Sequence, residues 1–435
     1  MQTGQTKNGI GMTVSACLWL GLFPLLNGGS FSTITRDKWV IMLILTGVTV
    51  LCFLADCFSR RVTRPRPLAL AAGGGLLLWI LLSCLCSPYA YGPWWIGAGR
   101  RDGLASQLCY LGLFLLFSFS RVKRAPVLWA AGAGITAYFM ITLIQYTNAN
   151  PFGLYPGDYF YDKAPSFQGT IGNVNMAVGY LMILCGLFLP LLTDSARALF
   201  RILRSKENAP VRPRLLAAAG ALCVLAMCVV LLFTMDVSAG FVAFLVLLCR
   251  SALRLVPKKL RLPIAALLLA AVLVLVWFCP FSSGTVWELS EILHGRPQPD
   301  FGSGRVGLWT LSMRMVRQEG RLLTGTGPDT YALRFSTFLR SYYAAHPDAE
   351  KLDMYYDNPH SEYIAMLINC GLPALLFFLL LIVGGCFGRP AWRDGALAYA
   401  VQAVFSFSVC IVAPMFWVVL GLAWSGRKRA EAETE

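Results

Sequence analysis

Charge is scarce in this chain, and histidine is scarcer. Of 435 residues, 14% are charged and three are histidine, while 57% are hydrophobic. Soluble domains carry roughly 25% charged residues, so a mean hydropathy of +0.62 excludes a soluble globular protein. No Cys-x-x-Cys pair occurs among the 14 cysteines. They sit within or beside apolar runs (Cys17, Cys52, Cys185, Cys228, Cys410), which excludes a disulfide frame and a cysteine metal site. The HExxH, Walker, GxSxG and EF-hand patterns are missing. So are the clustered carboxylates that would hold Mg²⁺ or Mn²⁺, Asp353 and Asp357 forming only a weak pair. Tandem repeats and low-complexity tracts are absent as well.

Apolar runs long enough to cross a bilayer dominate what is present, since about 20 residues are needed. The expected spans are 9–27, 39–56, 67–86, 104–120, 126–145, 172–193, 215–234, 238–256, 262–281, 361–385, 396–410 and 412–426. The last two divide one apolar stretch near Pro414. The run at 9–27 lacks a small-x-small cleavage site and reads as the first membrane helix. The fold class is therefore all-α: a polytopic integral membrane protein of about 12 helices. Residues 1–281 carry nine of them, 282–361 form a long polar loop, and 362–435 carry three more and a tail.

The net charge of +15 is not a nucleic-acid footprint, because Lys and Arg cluster in alternate connections. Arg60, Arg61, Arg64 and Arg66 follow the second span; Arg121, Lys123 and Arg124 follow the fourth. Arg197, Arg201, Arg204, Lys206, Arg212 and Arg214 follow the sixth, and Arg250, Arg254, Lys258, Lys259 and Arg261 surround the end of the eighth. Arg389 and Arg393 follow the tenth, and Arg427-Lys428-Arg429 close the chain. This alternation predicts a multi-pass protein of the cytoplasmic (inner) membrane with both termini in the cytoplasm. The 282–361 segment then faces outward.

Two outward connections carry more than turn residues. The first, 87–103, combines Trp94, Trp95 and Tyr91 with Arg100 and Arg101, which break the charge rule. Those arginines face either lipid headgroups or an anionic ligand. The second, 146–171, holds Tyr155, Tyr159, Phe160, Tyr161, Asp158 and Asp162, then leads into Gly172-Asn173-Val174-Asn175. It suits either an interfacial aromatic belt with an Asn cap or a sugar-stacking surface.

Helical spacing in the long segment predicts two amphipathic helices. One opens at Arg305 with a stripe of Val306, Trp309, Met313 and Val316. The other follows Thr324-Gly325-Thr326-Gly327-Pro328-Asp329 and carries Tyr331, Phe335, Phe338, Leu339 and Tyr342, with Arg334 and Arg340 off the stripe. All three histidines, His294, His346 and His360, lie in this segment. His360 follows Pro359 and is expected in the first turn of the tenth span, where a helix N-terminus favours neutral imidazole and attracts anions. It is either a general base for a hydroxyl or an interfacial histidine with no task. Arg305, opening its helix after Gly302-Ser303-Gly304, is the best placed arginine to reach phosphate oxygens.

The order of Arg305-x-x-x-Trp309, Gly325-Thr326-Gly327-Pro328, Asn358-Pro359-His360-Ser361-Glu362-Tyr363-Ile364 and Gly371-Leu372-Pro373 resembles the O-antigen ligase family. That family also holds O-antigen polymerases and bacterial O-oligosaccharyltransferases. Gly99-Arg100-Arg101-Asp102-Gly103-Leu104 and Gly172-Asn173-Val174-Asn175-Met176-Ala177 resemble its outer connections. The resemblance implies a C-type glycosyltransferase plan. A glycan passes from undecaprenyl diphosphate to the hydroxyl of an acceptor glycan, lipid or protein, with no metal or other cofactor. It implies His360 as the activating base and Arg305 on the leaving diphosphate, with Arg100, Arg101, Asn175 and Glu362 in substrate binding. Many members carry Ser-Arg-Gly between spans seven and eight. Here Ser238-Ala239-Gly240 removes that phosphate contact and leaves Arg340 and Arg334 as replacements. Two other readings compete: a transporter or flippase of lipid-linked oligosaccharide, and a peptidoglycan polymerase of the shape-and-division type. Transporters usually show two related halves and midplane charges, neither of which is evident here.

Overall fold

The computed structural model describes residues 8–29, 31–147, 149–154, 169–205, 210–349, 351–352, 356–407 and 409–426. Tyr155, Asp158, Tyr159, Phe160, Tyr161, Asp162, Lys206, Asp353 and the Arg427-Lys428-Arg429 cluster lie outside the described residues. The described chain is helical. It runs α1 (Ile10–Cys17), α2 (Ile34–Phe58), α3 (Pro67–Leu85), α4 (Tyr91–Trp95), α5 (Leu104–Ser118), α6 (Arg124–Tyr146), α7 (Val174–Ser205), α8 (Val211–Met235) and α9 (Ser238–Leu253). It continues through α10 (Lys258–Trp277), α11 (Thr285–Leu293), α12 (Arg305–Glu319), α13 (Tyr331–Ala345), α14 (Glu362–Cys370), α15 (Leu372–Cys386), α16 (Arg393–Gln402) and α17 (Val409–Trp424). Six of these, α2, α3, α6, α7, α8 and α10, are long and apolar enough to cross a membrane. Shorter apolar helices stand at Ile10–Leu25, α5, α9, α15 and α17.

An apolar helix that is hydrophobic all round belongs at the centre of a bundle or in lipid. Both outcomes occur. Every residue of α17 is buried, whereas α10 buries none. The last helix is thus the axis around which the others pack.

Two charged side chains inside the bundle are matched to the ends of the first helical run. The Asp56 carboxylate caps α1 by accepting the Gly11 and Met12 N–H groups at 3.1 and 2.9 Å. At the other end of this run the helix changes to a π turn (Leu18–Leu22) and a 3₁₀ turn (Phe23–Leu25), which frees carbonyls. The buried Lys38 ammonium donates to two of them, Phe23 and Pro24, at 2.7 and 3.0 Å. A helix end without such partners would be costly away from water.

Three expectations are corrected. The single helix over 361–385 is two helices broken at Gly371, whose φ is +88°. The 322–327 turn docks there: Leu372 N–H donates to the Leu322 carbonyl, and the Thr326 and Gly327 N–H groups both donate to the Asn369 carbonyl, each at 2.9 Å. A Cβ on residue 371 would lie 1.9 Å from the Leu323 carbonyl oxygen, so only glycine fits. Next, no helix covers 396–410. The ten-residue α16 forms instead, about 15 Å long and half of a bilayer core. The chain then turns at 403–407 and presents Phe405 and Phe407 to the polar segment. Third, α12 is rotated relative to its expected stripe. Leu308, Leu311, Met315 and Val316 are the buried residues, while Val306, Trp309 and Met313 are half-buried flanks. Both sets recur at helical spacing, and packing against Tyr331, Phe335 and Ile368 selects the first. In α13 the expected stripe is the inner face. The Tyr331, Phe335, Phe338 and Tyr342 rings form a stack with centroids 4.8, 6.3 and 5.8 Å apart.

Candidate functional site

The site is built where α12, the turn after α16 and the start of α14 meet. Asn358 is buried and its side-chain oxygen accepts the His360 N–H at 3.0 Å, an Asx-type turn that tolerates the left-handed backbone of His360 (φ +55°). Ser361 is the N-cap of α14, accepting the Ile364 N–H at 3.4 Å. His360 therefore precedes the cap and is not in the first helical turn, a correction to the sequence reading. The turn at Asn358-Pro359-His360 delays the helix, which begins at Glu362.

The His360 ring meets Phe407 edge-on at 5.0 Å and Tyr356 at 5.8 Å. Arg305 hooks the same turn from α12. Its Nε donates to the Phe405 carbonyl at 3.1 Å and its Nη1 to the Gly302 carbonyl at 2.7 Å. Arg100 arrives from the connection between α4 and α5. Its Nε pairs with Asp357 at 2.7 Å and its guanidinium lies 5.1 Å from the Phe407 ring centre. Among the described residues, Nη2 of Arg305 and both Nη atoms of Arg100 have no hydrogen-bond partner.

Electrostatics follow from this grouping. Burial, then the Arg305 guanidinium, push the His360 pKa down to about 4; Asp357 opposes the shift and Arg100 adds to it. The ring is neutral at neutral pH, able to accept a proton. Burial also lowers the Arg305 pKa, which leaves an arginine charged all the same.

The other expected residues divide. Arg101 lies beside Arg100 on an open cleft of about 450 Å³ that also includes Arg36 and Asp357. Its guanidinium stands 5.6 Å from the Trp39 ring centre. Arg36, just ahead of the second expected span, has no distinguishing local pattern in the sequence; it joins Arg100 and Arg101 on this cleft. Glu362 does not face the cleft. Its carboxylate accepts the Tyr399 hydroxyl and borders a small internal cavity of about 60 Å³ with Asp102 and Asp329. Burial raises both aspartates, Asp102 well above the usual range and Asp329 to about 6. Asn175 heads α7, its carbonyl accepting from Gln402 at 2.9 Å and its N–H donating to Asn173 at 3.0 Å. Arg334 is turned inward, its side chain 2% exposed, bound to Glu319 at 2.5 Å and to the Ile368 carbonyl at 3.0 Å. Arg340 is exposed on α13. Asp357, Tyr356 and Phe407 complete the site and were not singled out as binding residues. Only the nearness of Asp357 to His360 in sequence could have flagged it.

Apolar helices around a polar, arginine-rich crown define a multi-pass membrane protein. Residues 221–379 match the family model described as O-Antigen ligase, which supports an O-antigen ligase family assignment. The matched stretch includes Arg305, the 324–329 turn and His360; Arg100, Arg101 and Asn175 lie before it. No curated protein matches the chain. The family supports a membrane enzyme of the ligase or polymerase type that acts on lipid-linked glycans.

Proposed function

We propose that this chain transfers a glycan from undecaprenyl diphosphate to an acceptor hydroxyl at the outer face of the cytoplasmic membrane, without a metal. In this reading the 282–361 segment is extracytoplasmic, the chain crosses the bilayer about twelve times, and both termini are cytoplasmic. The alternate basic connections support that orientation.

One observation carries the proposal: a neutral imidazole, His360, shares its turn and the Phe407 ring with two guanidinium groups that have donors to spare, those of Arg305 and Arg100. His360 takes the proton of the acceptor hydroxyl as its oxygen attacks the anomeric carbon. The bond from that carbon to the diphosphate oxygen breaks, and the leaving group departs as undecaprenyl diphosphate. Arg305 and Arg100 stabilise the charge that develops on it.

An imidazole with a pKa near 4 is a weak base in the empty site. The arriving diphosphate brings negative charge beside the two arginines and offsets their part of the shift, while burial, the larger cause, still lowers the imidazole. Donor binding therefore raises the basicity of His360 toward the operating pH, where general-base catalysis is most effective. Arg101 and Arg36 extend the positive surface toward the cleft, where a polyanionic donor is guided. Purified His360→Ala and Arg305→Ala proteins test this: both are expected to insert and fold yet stop transfer. Undiminished transfer by both removes the mechanism.

A further inference from the structure

The 97–102 loop, which delivers Arg100, is gathered around a single side chain from another part of the chain. One oxygen of Asp329, Oδ2, accepts three backbone N–H groups, those of Gly99 at 3.2 Å, Arg100 at 2.8 Å and Asp102 at 3.1 Å. The Asp329 carbonyl accepts a fourth, from Ala98, at 3.1 Å. Successive N–H groups converging on one point form a nest for an anion, and here the anion is a protein carboxylate, 6% exposed. The loop is shaped to this partner. A Cβ on residue 99 would lie 2.9 Å from Asp329 Oδ1, so the close wrap needs glycine there.

Asp329 is itself firmly held. Ser87 donates to the Thr326 carbonyl at 2.6 Å, and the Gly327 N–H donates to the Ser83 hydroxyl at 3.0 Å, which fixes the 324–329 turn to the end of α3. Thr330 closes the turn by donating to the Gly327 carbonyl at 2.7 Å. Arg100 thus has two anchors: Asp329 behind its backbone and Asp357 in front of its guanidinium.

We propose that Asp329 is the positioning residue for Arg100, setting where that guanidinium stands against His360 and hence how tightly the site holds the diphosphate end of the donor. This rests on the reading of Arg100 as a diphosphate contact. Asp329 touches neither substrate nor reacting atoms; it acts through the loop it holds. Its place in the Gly-Thr-Gly-Pro-Asp stretch follows from that task as much as from starting α13.

The test uses the full-length protein in nanodiscs, with undecaprenyl diphosphate as the binding probe. Asp329→Ala and Arg100→Ala are each expected to weaken binding about tenfold, the scale of one charge-assisted hydrogen bond. The double variant is expected to bind no more weakly than Arg100→Ala alone, since residues acting through one contact are not additive. Asp329→Asn keeps an acceptor oxygen but loses the charge, so its affinity should fall between wild type and Asp329→Ala. In transfer assays the Asp329 variants should raise KM for donor more than they lower kcat. A merely structural role predicts instead that the two losses multiply and that kcat falls with the folded fraction; that result overturns the proposal, as does binding by Asp329→Ala within twofold of wild type. Should Asp329→Ala fail to fold, Gly99→Ala, which crowds the same carboxylate, decides: wild-type affinity there overturns the proposal, and a similar loss supports it. Unchanged affinity in Arg100→Ala removes the donor-contact reading itself. Loss there without loss in Asp329→Ala removes only the positioning role.

Discussion

The indole N–H of Trp309 donates to the carbonyl of Pro359 at 2.8 Å, one residue before His360. The helix that opens with Arg305 therefore also holds the turn carrying the imidazole. Trp309 lies four positions after Arg305, so both lie along one face of α12, with one reaching Phe405 and the other Pro359. The proposed base and leaving-group contact are thereby fixed to a common element, which is what precise placement requires.

Trp309→Phe removes that hydrogen bond and keeps most of the ring. Transfer is expected to fall about tenfold, a loss of roughly 1.4 kcal/mol in transition-state stabilisation, while the melting temperature changes little. Steady-state kinetics beside a melting curve in the same detergent provide the check. Equal losses in both would mean the bond only holds the fold together.

Arg334 sits apart from the cluster around His360. Its guanidinium is buried against Glu319 and the Ile368 carbonyl, so Arg334→Ala leaves a void and a carbonyl without its donor, while the Glu319 carboxylate, 30% exposed, is met by water. The expected effect is a loss of stability of about 2 kcal/mol, read as a lower unfolding midpoint. Affinity for undecaprenyl diphosphate in the surviving folded fraction should be unchanged. A selective loss of donor binding would restore Arg334 as a substrate contact.

The His360 pKa gives a pH signature of known sign. A histidine lowered from its ordinary 6.5 to about 4 binds fewer protons folded than unfolded between those values. Its contribution to stability is therefore favourable above about pH 6.5 and is lost as pH falls toward 4. Activity should follow the same group. The acid limb of kcat/KM, which reports the free enzyme, is expected at lower pH than the acid limb of kcat, because bound diphosphate raises the imidazole. Coincident limbs would contradict that coupling.

Gly371→Ala tests the docking of the 322–327 turn onto the break between α14 and α15. A side chain there meets the Leu323 carbonyl and faces a positive φ. Low yield of folded protein is expected, since both strains act on one residue. A stable, active Gly371→Ala protein would show that the break can close into a continuous helix.

Apolar length was readable throughout, because burial or lipid contact demands it whatever the neighbours. Nine of the expected spans, up to 262–281, have an apolar helix near the expected bounds. What failed depends on long-range contact. Gly371-Leu372-Pro373 was read as part of one helix because nothing local reveals the 322–327 turn packed against it. The rotation of α12 had the same origin, with two faces apolar and the partner Ile368 distant in sequence. At the candidate site, His360 stands out by chemical rarity, Arg100 against the charge rule and Arg305 by opening its helix after Gly302-Ser303-Gly304. Phe407 and Asp329 do not, for their tasks exist only through residues far along the chain.

The most direct test of the account is transfer by the purified protein from an undecaprenyl-diphosphate-linked glycan, comparing wild type with His360→Ala under saturating donor. His360→Ala is expected to bind undecaprenyl diphosphate about as well as wild type and to transfer at least about a hundredfold more slowly, the range for loss of a general base. Transfer by His360→Ala at the wild-type rate would contradict it.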